Sequence, residues 1–203
     1  MENTIFKSSL ALSLLASSFL LANDSFVNSV GINLGKSYSD FSQTNNNGLW
    51  NKPDKSFNSV EIYSTLNPIL QICKDNSMRP YISYTYSQNS DLKHQYLLVG
   101  VNKYYNSQTT KLEFYAGVLG GYGQVDWRYN PLIKSFNKNV DANSFIGGIQ
   151  AGTTYPINEK FSLNLNAKYL VHNYETNLIT SVATNTIEHD STTSLGFGLE
   201  YSF

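Results

Sequence analysis

Beyond residue 25 the chain alternates apolar and polar positions with a period of two, the spacing that an extended strand converts into two faces. The cleanest stretch is 161–173, where Phe161, Leu163, Leu165, Ala167, Tyr169 and Val171 alternate with Ser162, Asn164, Asn166, Lys168 and His172. Eight such runs follow one another, at about 26–38, 57–72, 79–87, 93–105, 110–127, 141–155, 161–173 and 190–203. The i, i+3, i+4, i+7 spacing of an amphipathic helix is missing, so the pattern predicts an all-β chain. Turn-forming residues break the runs at Lys74-Asp75-Asn76-Ser77, Asn106-Ser107-Gln108 and Pro156 to Lys160. The connections on the other side are 39–56, 88–91, 128–140 and 174–189, and three of those four are long.

An even number of strands, short turns on one side and long loops on the other predict an antiparallel up-and-down barrel that spans a membrane. A soluble barrel of eight strands would use the same alternation with the apolar residues inside. Composition separates the two. Only 14% of the residues are charged, against about 25% in an ordinary soluble domain. The polar faces are rich in Gly, Ser, Asn and Thr, which fit the narrow interior of an eight-stranded barrel. The apolar faces carry Leu, Val, Ile and Phe, with Tyr38, Tyr155, Phe161, Tyr169, Tyr201 and Phe203 near strand ends, as in the aromatic girdles of lipid-facing surfaces. The expected architecture is an eight-stranded antiparallel transmembrane β-barrel with the apolar residues outside.

The segment 1–22, MENTIFKSSLALSLLASSFLLA, has Lys7 in its polar start, an apolar stretch from Leu10 to Leu21 and the small Ala22 at its end. That is the layout of a cleaved secretory signal peptide, which leaves 23–203 as the barrel domain. A net charge of −1 offers no basic field for nucleic acid. One cysteine, Cys73, excludes an internal disulfide framework and a cysteine-based zinc site.

The closing segment LGFGLEYSF alternates Leu195, Phe197, Leu199, Tyr201 and Phe203 up to a terminal phenylalanine. It resembles the C-terminal signature of Gram-negative outer-membrane barrels. With the leader and the eight runs, the chain resembles the small outer-membrane barrel superfamily, which includes the OmpA transmembrane domain, OmpX, OmpW and the opacity-type surface proteins. The resemblance implies an outer-membrane location, contact with lipid and lipopolysaccharide, and capture of Tyr201 and Phe203 by the barrel-assembly machinery. It also implies a structural or surface-interaction role through the loops. The alternative is a narrow pore or an OmpW-like conduit for small or hydrophobic molecules.

No cofactor, metal site or catalytic residue is expected. The glycines of GVLGGYG fit no phosphate-binding motif. His189 and Ser191 are spaced to share an outward face, which resembles the His-x-Ser pair of PagL-type lipid A deacylases, but Thr192, Thr193 and Ser194 follow instead of that family's Asn and Gly. His94, His172 and His189 are scattered, with no metal-ligand spacing. The remaining chemistry is a set of lumen-facing charges, Glu61, Arg79, Lys111, Glu113, Lys168 and Glu200. Buried ions must pair or stay wet, so these are expected to form an ion-pair network that plugs the barrel. Arg79, Lys111, Glu113 and Glu200 would gather at the periplasmic end. Tyr63, Tyr81, Tyr96, Leu98 and Tyr115 would fill the space between. Loops 39–56, 128–140 and 174–189 mix polar residues with Phe41, Trp50, Tyr129, Phe136 and Ile187, a composition suited to an extracellular ligand.

Overall fold

The computed structural model describes residues 27–44, 55–67, 77–90, 92–127, 140–179 and 184–203. The leader at 1–22, Cys73 and most of loop 128–140 lie outside the described residues. Eight strands run β1 (Val27–Thr44), β2 (Ser56–Leu66), β3 (Met78–Gln88), β4 (Leu92–Asn106), β5 (Glu113–Trp127), β6 (Val140–Pro156), β7 (Phe161–Ile179) and β8 (Thr184–Ser202). Each pairs antiparallel with its successor, and β8 pairs with β1 to close the barrel. Closure leaves no strand edge, so every backbone ladder is satisfied without water.

A belt of apolar residues faces outward. Leu34, Val99, Val118, Phe145, Ile149, Leu165, Val171, Leu195 and Phe197 are each more than half exposed. An apolar belt of this extent is a surface for lipid rather than for water. We call proximal the end of the barrel where Val27 and Phe203 lie, and distal the opposite end.

Three features depart from the expected layout. β1 runs on to Thr44, so Phe41 belongs to a strand that packs into the barrel and not to a loop at 39–56. The segment 174–189 is not a long loop. β7 runs on to Ile179 and β8 starts at Thr184, so only 180–183 join them. The residues there look like a loop in sequence because the outer face of a strand that continues beyond a lipid belt turns polar, as at Asn173, Glu175 and Asn177. The asymmetry between the two ends therefore rests as much on strand length as on loop length. In addition, β8 carries a β-bulge. Asp40 pairs with Ser191 and the next residue, Phe41, pairs with His189, so Asp190 is extra. Asp190 and Ser191 both stay on the outer face while His189 turns in and is 1% exposed.

Candidate functional site

The lumen is filled in three tiers. At the proximal end, Arg79 of β3 donates from Nη1 and Nη2 to the two carboxylate oxygens of Glu113 of β5, at 3.3 and 3.2 Å. Its guanidinium stacks 4.1 Å above the Tyr104 ring. The Glu200 carboxylate accepts from the Tyr63 hydroxyl at 2.8 Å. Lys111 does not join this group: it sits on the exposed turn between β4 and β5, because β5 begins only at Glu113.

The middle tier centres on Glu61 of β2 and Lys168 of β7, which form a buried ion pair. Glu61 also accepts from Tyr81 Oη at 2.8 Å, Asn33 Nδ2 at 3.0 Å and Asn166 Nδ2 at 3.2 Å. Lys168 donates to Tyr81 Oη at 2.9 Å as well. A carboxylate with four donors around it meets the condition under which a buried pair is tolerated. Tyr63 and Tyr81 stack at 5.7 Å between ring centres. Tyr96 and Leu98 are buried beside them, and Tyr115 donates to Asn164 Oδ1 at 3.4 Å. A small cavity lined by Asn33, Ser59, Glu61, Thr85, Lys168 and Ser194 adjoins the pair.

The sequence-predicted lumen charges thus fall into separate groups, Arg79 with Glu113, Glu61 with Lys168, and Glu200 with a tyrosine. Tyr201 and Phe203 lie on the outer surface, with ring centres 5.2 Å apart. The Phe203 amide donates to the Asn28 carbonyl at 3.2 Å.

The distal tier is aromatic. Phe41 packs against Phe57, Trp127 and His189 at 6.4, 5.7 and 4.6 Å. Trp127 Nε1 donates to Thr176 at 3.3 Å. Here the structure brings together all three histidines, His94 of β4, His172 of β7 and His189 of β8. Their ring centres are 5.6 Å apart for His94–His172, 5.3 Å for His94–His189 and 4.3 Å for His172–His189. His94 Nε2 shares a hydrogen bond with the Tyr174 hydroxyl at 3.0 Å. The deacylase-like pair is not formed, since the bulge puts His189 in the lumen and leaves Ser191 outside. Strand parity misassigned His189, and linear spacing could not bring β4 to β7 and β8 across the lumen.

No family model matches the chain, and no curated protein matches it in sequence. Solved structures do match. The neisserial surface protein NspA aligns with a TM-score of 0.58 and 14% identity, covering 88% of this chain and 97% of that one. The outer membrane protein OprG from Pseudomonas aeruginosa aligns with a TM-score of 0.59 and 14% identity over the same shares of the two chains, 88% and 97%. The outer membrane protein AlkL gives 0.50 and 15%, covering 87% of this chain and 90% of that one. At such identity the likeness is one of architecture: the chain has the fold of the small eight-stranded outer-membrane barrels.

Proposed function

We propose that this is an integral outer-membrane protein with a non-enzymatic, structural or surface-interaction role, and that its barrel is closed to steady conduction. The observation that carries the reading is the Glu61–Lys168 pair with its tyrosine and asparagine partners, which occupies the middle of the lumen. A conducting pore of polar lining needs continuous water, and here side chains meet across the axis. With the lumen blocked, recognition falls to the distal connections 45–55, 89–91, 128–139 and 180–183, and the apolar and aromatic residues of 45–55 and 128–139 suit an extracellular ligand. Outer-membrane lipid and lipopolysaccharide contact the apolar belt, and the barrel-assembly machinery handles the chain during biogenesis.

The test has two parts. Detergent-refolded protein inserted in a planar bilayer is expected to show no steady conductance, and a stable open level would favour the conduit reading instead. Cells displaying the protein are expected to adhere to matrix-coated surfaces, and to lose adherence when 128–139 is replaced by a short Gly-Ser linker. Adherence that survives replacement of each distal connection would remove the loop role.

A further inference from the structure

We propose that Lys36, Asn58 and Gln88, side by side on the outer face near the distal rim, bind the phosphorylated sugar headgroup of an outer-leaflet glycolipid. That is the chemistry of the lipid A part of lipopolysaccharide. The site rests on the outer-membrane reading above, in which the distal end faces away from the cell.

Lys36 is an exposed cation inside the apolar belt. It points outward from β1 between Leu34 and Tyr38, and it stands directly opposite Leu195 of β8. Leu34 and Leu195 are both more than half exposed, as belt residues are. A charge among lipid-facing side chains is costly, and the cost falls as the charge nears a rim. The lysine stem allows that approach, because it lies along apolar surface while the ammonium rises to the polar zone. Tyr38 is the next outward residue toward the distal end, and its amphipathic ring suits that zone. Among the described residues no carboxylate forms an ion pair with Lys36. The acid of β1 is Asp40, which takes Lys55 at 2.6 Å. Two other lysines on the outer face are differently placed. Lys93 is buried, 5.0 Å above the Tyr86 ring, and Lys103 donates to Ser77 near the proximal end. Lys36 therefore offers its charge to an anion at the level of the distal headgroups.

The register sets two amides beside it. Asn58 of β2 stands opposite Lys36, and Gln88 of β3 stands opposite Asn58. All three side chains are exposed. Neighbouring strands lie about 4.8 Å apart, so the row spans about 10 Å. The Gln88 side-chain oxygen accepts from the Tyr86 hydroxyl, which leaves the amide nitrogen to donate outward. An ammonium makes strong charge-assisted hydrogen bonds to phosphate oxygens. Primary amides both donate and accept, as sugar hydroxyls do. A cation followed by two amides thus matches a headgroup in which a phosphate adjoins a sugar. Leu34 and Val60, just proximal to the row, give its acyl chains an apolar surface.

The test uses full-length protein refolded into phosphatidylcholine nanodiscs. It is titrated with lipid A, with lipid A stripped of its phosphates, and with phosphatidylglycerol. Lipid A is expected to bind more tightly than either of the others and to shift the side-chain nitrogen of Lys36 in ¹⁵N-lysine-labelled wild-type protein. Lys36→Gln is expected to weaken lipid A binding about fivefold. Lys36→Arg is expected to retain it, and Lys103→Gln to leave it unchanged. Asn58→Ala and Gln88→Ala are each expected to narrow the preference for lipid A over phosphatidylglycerol. Equal binding of lipid A with and without its phosphates, or an unmoved Lys36 nitrogen, would overturn the site. Equal binding of lipid A and phosphatidylglycerol would overturn the glycolipid assignment. Heat-modifiable gel mobility reads insertion separately. A barrel that folds in the nanodisc without phosphate dependence loses this site alone, whereas a chain that folds in no bilayer loses the outer-membrane reading with it.

Discussion

Glu61 of β2 and Lys168 of β7 meet across the lumen, although β8 and β1 stand between their strands in the sheet. Both side chains are almost completely buried. Removing one partner leaves a charge with no route back to water. Lys168→Met or Glu61→Leu is therefore expected to cost about 3–5 kcal/mol. The double variant is expected to recover most of that loss, because two apolar side chains leave no charge behind. Urea titrations of the four proteins in detergent give the coupling directly. Additive losses would mean that the pair contributes little as a pair.

Leu165 and Phe197 are cross-strand neighbours on the outer face, 53% and 56% exposed. An arginine at either position is expected to cost about 2–4 kcal/mol near the bilayer midplane and less toward the rims. Folding equilibria in lipid vesicles check this. A harmless Leu165→Arg would place the apolar face away from lipid.

Two glycines should respond in opposite ways. Gly198 faces the lumen, where an added Cβ would fall on the Ile32 carbonyl oxygen of the paired strand. A backbone atom held in a ladder cannot step aside, so Gly198→Ala is expected to cost about 1–3 kcal/mol. Gly147 has nothing within 4 Å of its would-be Cβ. Gly147→Ala is expected to be neutral or to stabilise by up to about 1 kcal/mol, since it restricts the unfolded chain. Thermal melts of both variants separate the cases.

Phe203 is 43% exposed and rests against Tyr201. Full burial of a phenylalanine is worth about 1.5–3 kcal/mol, so a half-exposed terminal one contributes less. Its expected role is in assembly. An unfinished barrel presents an open strand edge that aggregates until it is paired. Deleting Phe203 is expected to reduce outer-membrane yield in cells far more than it lowers the stability of refolded protein. Equal losses in the two assays would reduce Phe203 to a packing residue.

The amino-acid sequence by itself determined the strand count, the antiparallel order and the face of nearly every side chain. These follow from one local rule: successive residues of a strand point to opposite sides, so Leu165 or Lys168 can be assigned without knowing any partner. The same rule fails wherever one residue is inserted. The bulge at Asp190 reversed the parity of His189, and nothing in the string His-Asp-Ser signals it. The polar alternation of 174–189 likewise hid strands that continue past the lipid belt. Only the tertiary structure decided which distant residues meet. Closing eight strands imposes a stagger between neighbours, and the accumulated offset sets the height at which each side chain enters the lumen. That offset brings Glu61 to Lys168 and leaves Arg79 with Glu113. It also gathers His94, His172 and His189 from three strands into one cluster. Parity says which way a residue points, but its height in a closed barrel is a property of all eight strands together.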